Sequence, residues 1–213
     1  IDLSNSFFVD VARGAQRVAR GSGFNLLLAG SEDDHAVQAS HVDYFDESRA
    51  AGLLLAPMQN SDEQLRRMTE HQRPVVLLNY DSAATDRCCV VIDNERVGYL
   101  AARHLISRGR RRILFAAGDT RFQPVRLRRM GVHRAIAEAP GAELVEVPSA
   151  ALDWEAGAGI VRAALRGDGH PFDAVLGVTD LLAAGALSAL LDNGVNVPGA
   201  VDVIGCDHNT AAW

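Results

Sequence analysis

The groups able to do chemistry in this sequence stand directly after short apolar runs: Asn5, Asn79-Tyr80, Asp93, Gly118-Asp119, Thr179-Asp180 and Asp207-His208. In parallel α/β sheets ligands sit beyond the carboxyl ends of the strands, so these are the positions from which a binding site would be assembled. Asn5 with Phe7 and Phe8 sets an amide beside two aromatic rings. Rings of this kind stack on the apolar face of a small molecule while amides and carboxylates take its polar edge. Phe8 falls on the apolar stripe of the helix that follows and reads as core, whereas Phe7 falls off it and reads as ligand-facing. Arg126, Arg128 and Arg129 follow Pro124. Arginines so crowded usually form a solvated face, and the sharper reading is that one guanidinium turns inward to a ligand.

Patterns that would carry catalysis are missing. No GxGxxG follows an apolar run, no GxSxG is present, and a GxxxxGK[ST] phosphate loop is impossible because all 21 basic residues are arginine. The seven histidines (35, 41, 71, 104, 133, 170 and 208) show neither HExxH nor Cys/His ligand spacing, and His104 reads as a partly buried ring. The acids at 32–34 read as a solvated first helical turn, where the helix dipole favours negative charge. Neither a cofactor nor a metal site is expected, and the chain reads as a binding protein rather than an enzyme.

The 213 residues carry 21 basic against 27 acidic side chains, a net charge of −6. Residues 1–93 hold 8 arginines against 14 acids, and the rest hold 13 of each. Phosphate affinity needs clustered cations, so this stretch is not the part of a protein that would touch DNA. Cys88, Cys89 and Cys206 are an odd number, and neighbouring strand residues point to opposite faces. They read as free thiols buried like small apolar residues, in a reducing compartment. No apolar run approaches the roughly 20 residues of a bilayer span, and no secretion signal opens the chain.

Apolar runs recur at 24–29, 52–56, 75–78, 88–92, 113–117, 144–147, 174–178 and 201–206. Most are continuous rather than alternating, as in strands covered on both faces. Amphipathic stretches lie between most of them. One follows the cap signal Ser4-Asn5, with Phe8, Val11, Ala12, Ala15, Val18 and Ala19 on one stripe, and Gly21-Ser22-Gly23 ends it. Further helices are expected at 95–107, with Val97, Leu100, Ala101, His104 and Leu105 together, at about 154–165, and from near Asp180 to Asn193-Gly194. Alternation of this kind predicts an α/β protein with parallel sheets. The strands are too many for one small doubly wound domain, and the gap between 75–78 and 88–92 is too short for a crossover helix. Two doubly wound lobes are expected, 1–93 and 94–213.

In the order and spacing of its segments the whole chain resembles the effector-binding core of LacI/GalR-type bacterial transcription repressors, of the periplasmic-binding-protein-like type. The stretches that carry the resemblance include Asp2-Leu3-Ser4-Asn5-Ser6-Phe7-Phe8, Gly52-Leu53-Leu54-Leu55-Ala56-Pro57 and Pro74-Val75-Val76-Leu77-Leu78-Asn79. Beyond them come Val91-Ile92-Asp93-Asn94, Gly109-Arg110-Arg111-Arg112-Ile113, Thr179-Asp180 and Asp202-Val203-Ile204-Gly205-Cys206-Asp207. The resemblance implies a small-molecule effector, such as a sugar, bound between the lobes by Asn5, Phe7, Phe8, Asn79, Tyr80, Arg126, Arg128, Thr179 and Asp207. Trp154 stands near a position that is often aromatic. It also implies a cytoplasmic homodimer that reads operator DNA through a helix-turn-helix outside this sequence, with a first strand and closing elements cut short by its two ends. Asn79-Tyr80 departs from the Asp-Arg of many sugar binders, which leaves the effector class open. The competing reading on the same fold is the solute-binding protein of a sugar transporter.

Overall fold

The computed structural model describes residues 5–31, 34–57, 62–82, 88–166 and 171–207. The chain divides into two compact units, 1–92 and 93–213, each with its own parallel sheet.

The first unit runs α1 (Ser6–Gly21), α2 (His35–Glu47), β1 (Leu53–Leu55), α3 (Asp62–Glu70), β2 (Val75–Leu78) and β3 (Cys88–Val90). Its sheet has the order β1-β2-β3, every pair parallel. A core of Val42, Leu55, Leu65, Met68 and Leu77 joins α2 and α3 to β1 and β2. Asn5 caps α1 through its side chain, and Gly23 follows the helix with φ +80, a conformation that favours glycine. Asp34 caps α2 in the same way as Asn5 caps α1.

The run 24–29, expected as a strand, lies in neither sheet. Phe24, Leu27 and Leu28 are 54%, 70% and 50% exposed, and no residue of α1 is buried. Apolar patterning reports what a segment tends to bury, but a strand exists only where a pairing edge is beside it. The thiols also divide: Cys89 packs on the core of this unit, whereas Cys88 is exposed, because the two alternate across β3.

The second unit runs α4 (Asn94–Ser107), β4 (Arg112–Ala116), α5 (Gln123–Ala137), β5 (Glu143–Val147), α6 (Trp154–Ala164), β6 (Ala174–Gly177), α7 (Asp180–Asp192) and β7 (Asp202–Ile204). The strand order is β5-β4-β6-β7, all parallel. Alternate residues of the central strands feed opposite cores. Ile113, Phe115 and Leu176 pack with α4 and α5, while Leu114 and Val175 pack with α6 and α7. Three layers result, and β4 and β6 are the continuous apolar runs they are because both faces are covered.

Each helix layer closes on glycines. A Cβ on Gly98 would lie 2.0 Å from the Arg128 carbonyl oxygen, and one on Gly131 would lie 1.9 Å from that of Glu95, so α4 and α5 touch backbone to backbone. Gly157 and Gly185 do the same for α6 and α7, against Leu182 and Trp154. These approaches shift the buried face of α4 to Asn94, Gly98, Ala101, Ala102 and Leu105. Leu100, expected on that face, is 52% exposed, and His104, expected to be partly buried, is exposed.

The amino-terminal edge of this sheet is tied by charge. Arg108 Nε donates to Asp202 Oδ2 at 2.7 Å and Arg110 Nε to the same oxygen at 3.0 Å. Arg110 also donates to the carbonyls of Pro198 and Ala200. Asp173 accepts the backbone N–H groups of Arg111 and Arg112. The Gly109-Arg110-Arg111-Arg112-Ile113 stretch thus lashes β4 to the starts of β6 and β7. Hydrogen bonds from Arg110 and then Arg108 hold the Asp202 carboxyl at about 2, below the usual 3.8. A lowered value means that the stabilisation is full above about 4 and fades as pH falls toward 2. Asp202→Asn is expected to lower the unfolding free energy by about 2 kcal/mol near neutral pH, with the gap closing in acid. Urea denaturation of both proteins at several pH values checks this, and a gap independent of pH would refute it.

Candidate functional site

In the second unit, β4 leads to β5 on one side and the chain then crosses to β6 on the other, so the topological switch point lies between β4 and β6. Beyond the carboxyl ends of those strands lies a network of polar groups around Arg128. Its guanidinium Nε donates to Asn94 Oδ1 at 2.9 Å, and Nη1 donates to the Val178 carbonyl at 2.8 Å and to Asp207 Oδ1 at 2.5 Å. The side chains of Arg128 and Asp207 are 7% and 6% exposed. A charge withdrawn from water to this degree needs opposite charge and good hydrogen bonds, and Arg128 has both.

Asp207 is held in turn. Its Oδ2 accepts the Asp180 backbone N–H at the start of α7 at 3.1 Å, and its own N–H donates to Asp180 Oδ1 at 2.9 Å. A carboxylate at a helix amino terminus is favoured by the unpaired N–H groups and the dipole there. Gly205 makes the reciprocal pair possible, since a Cβ there would lie 2.2 Å from Asp180 Oδ1. Thr179 Oγ1 caps α7 by accepting from the Leu182 N–H at 3.3 Å. Next to Asp207, burial pushes the Cys206 thiol up to about 12, so it stays protonated and is no nucleophile.

Of the positions named from sequence, Arg128, Thr179 and Asp207 come together at this switch point. Arg126 does not join them, and is exposed in the first turn of α5, while Arg128 faces inward. Trp154 opens α6, in the helix layer on the other face of the sheet from α5, and is 41% exposed.

In the first unit, Asn5 Oδ1 is engaged as the cap of α1, accepting from the Phe7 N–H at 3.0 Å. The rings of Phe7 and Phe8 meet edge to face with centroids 5.1 Å apart. Phe8 lines an apolar cavity with residues of α1 and β1, in keeping with its place on the helix stripe. Asn79 sits just past β2 in the left-handed region, φ 52, and its N–H donates to the Val90 carbonyl at 2.8 Å. Tyr80 packs against the core of this unit. His208 lies outside the described residues.

Asp180, 4% exposed, stood among the strand-end polar groups from which a site would be assembled, but without a role of its own. Asn94, 2% exposed, was not a candidate and appeared only in the stretch Val91-Ile92-Asp93-Asn94. A polar side chain on the inner face of a helix with small residues three or four places on is the signal that would have exposed Asn94. Among the described residues no group of three or more His, Cys, Asp or Glu is placed to hold a metal ion, and no helix is long and apolar enough to cross a membrane.

Two parallel α/β units with polar groups gathered at a strand-order switch define a small-molecule-binding architecture. A family model described as periplasmic binding proteins and the sugar-binding domain of the LacI family matches residues 1–209, and the chain belongs to that family. The transcriptional regulator GalR of Escherichia coli (strain K12) is 28% identical over 206 residues, covering 97% of this chain and 60% of that protein. The chain therefore spans about 60% of the length of such curated relatives. Among solved structures, a LacI family transcriptional regulator from Silicibacter pomeroyi superposes with TM-score 0.82 at 26% identity, over 96% of this chain and 76% of that one. A periplasmic solute-binding protein of an ABC transporter from Actinobacillus succinogenes, with bound D-allose, superposes with TM-score 0.88 at 22% identity, over 99% and 77%. The latter likeness is one of fold.

Removing the acceptor of Arg128 Nε leaves a buried charged donor unmet. Asn94→Ala is expected to destabilise the protein by about 1.5–3 kcal/mol. Its urea midpoint should fall accordingly, and an unchanged midpoint would show that Asn94 does not hold the guanidinium.

Proposed function

We propose that this chain is the effector-binding core of a LacI-type transcription regulator, which takes a small polar metabolite between its two units. Binding alters the angle of the units and thereby the operator affinity of a helix-turn-helix encoded outside these residues, in a homodimer. The observation that carries the reading is the Arg128–Asp207–Asp180 network at the switch point of the second unit, on a chain of the LacI sugar-binding domain family. It presents fixed, directional hydrogen-bonding groups.

The chemistry of the network bears on the ligand. The Arg128 charge is matched by Asp207, and Asp180 adds a second carboxylate. This half of the site therefore has no surplus positive charge for a phosphate. We assign an uncharged polyhydroxyl compound, a monosaccharide of the kind carried by the allose-binding relative in fold, with Asp207 and Arg128 taking hydroxyl groups. Asn5, Phe7, Asn79 and Tyr80 of the first unit are the candidate partners on its other side, and the half-exposed Trp154 is the candidate stacking wall. Thr179 serves this site by starting α7.

Asp207 is a structural partner of Arg128 as well as a candidate ligand group, so truncating it to Ala would confound the two roles. Asp207→Asn keeps the shape and removes the charge. Calorimetry with neutral hexoses and pentoses, their phosphates and nucleobases is expected to find binding among the neutral sugars, and Asp207→Asn is expected to weaken it by about 1–3 kcal/mol. Binding of a sugar phosphate but not its parent sugar would reject the ligand class, and unchanged affinity in the variant would reject the residue. A helix-turn-helix encoded upstream of Ile1 supports regulation, and a secretion signal there would favour transport.

A further inference from the structure

The charge of residues 1–93 is negative in sum but unevenly spread. Helix α1 holds three of their eight arginines and one of their fourteen acids, leaving five arginines against thirteen acids elsewhere. Phosphate attraction depends on where cations gather as well as on the net balance. Arg13, Gln16, Arg17 and Arg20 stand at i, i+3, i+4 and i+7, one stripe of α1. All four are exposed, and with Gly21 they line a shallow groove along the helix. Asp10 meets Arg13 at 3.2 Å, an exposed pair of a kind worth little in water. Among the described residues Arg17 and Arg20 meet no carboxylate. Like charges one turn apart work against a helix, and a negative partner laid along the stripe would reverse that.

We propose that this stripe binds the sugar-phosphate backbone of duplex DNA, adding sequence-independent contacts to those of the DNA-reading segment. The inference rests on the regulator reading above, under which that segment is tied to the same polypeptide. Tethering holds the stripe at high local concentration beside the DNA, where a few weak ion contacts count. From Arg13 to Arg20 the stripe rises about 10 Å, the axial span of about three successive phosphates on one strand. Charge favours this occupant over a protein. Protein partners are anchored by large aromatic or apolar side chains, and from Arg13 to Gly21 this face carries none. Val18, 71% exposed, belongs to the opposite, apolar stripe. Phosphates ask only for cations and hydrogen-bond donors, which the three arginines and Gln16 supply. A second copy laid face to face on the stripe would set arginine against arginine.

The test uses the full-length protein that the gene encodes, with the double variants Arg17→Gln/Arg20→Gln and Arg17→Lys/Arg20→Lys. A fluorescently labelled duplex of arbitrary sequence is titrated at several salt concentrations and binding is read by anisotropy. Gln and Lys hold a helix about as well as Arg, so thermal melting should be alike in all three proteins. Removing two cations should flatten the slope of log K against log salt by about 1.8 and weaken binding about tenfold near 0.1 M salt. The Lys variant, which keeps the charge, should stay close to the parent. An unchanged slope in the Gln variant would overturn the proposal, as would a Lys variant as weak as the Gln one. Weakening that comes with loss of the oligomer in sedimentation would overturn it in favour of contact between copies. A parent protein that binds no duplex would sink the regulator reading and this surface with it, whereas a parent that binds with the Gln variant unaltered would sink this surface alone.

Discussion

A guanidinium taken out of water is the constraint around which the second unit is arranged. Arg128 cannot shed its charge, so the fold must bring acceptors to it. They come from three places far apart in the chain: Asn94 at the start of α4, the Val178 carbonyl just past β6, and Asp207 just past β7. Asp207 is itself fixed by the first N–H of α7. One buried charge thereby sets the mutual positions of two helix starts and two strand ends. Networks of this kind, fully satisfied in a low-dielectric setting, are rigid and intolerant of partial removal. Rigidity is what a binding site needs, because polar groups already held in place lose little freedom when a ligand arrives.

The two edges of that sheet divide the work. At the amino-terminal edge Arg108, Arg110, Asp173 and Asp202 spend their hydrogen-bonding capacity on one another and on backbone groups, closing the sheet. At the carboxyl edge the polar groups gather where the strand order reverses. The arginine-rich stretch before β4 is therefore a device of stability, and the polar residues after β6 and β7 are the ones on which recognition would rest. That separation lets ligand preference change without touching what holds the strands in register.

Much of this was readable in the sequence where local chemistry decides. Asn5, Thr179 and the glycines past α1 and α4 mark helix ends through groups a few residues away, and the continuous apolar runs of β4 and β6 reflect burial on both faces. Arg128 was among the candidates from its crowding with Arg126 and Arg129, although only the fold separates the inward guanidinium from the solvated ones. Other features depend on partners remote in the chain. The inner face of α4 follows its glycine contact with α5, which is why hydrophobicity alone put Leu100 and His104 on it. The run 24–29 is apolar enough for a strand, yet lacks a paired neighbour. Asn94 and Asp180 look like ordinary polar residues of a first helical turn until Arg128 and Asp207 are placed beside them.

The glycine crossings of α4 on α5 and of α6 on α7 have an evolutionary consequence. Where side chains separate two helices, a substitution on one can be answered by repacking on the other, and families drift through such exchanges. Here main chain meets main chain, so there is nothing to resize. Gly98, Gly131, Gly157 and Gly185 should therefore be among the slowest positions of the second unit to diverge. Lineages that have changed ligand many times would still carry the same four small gaps.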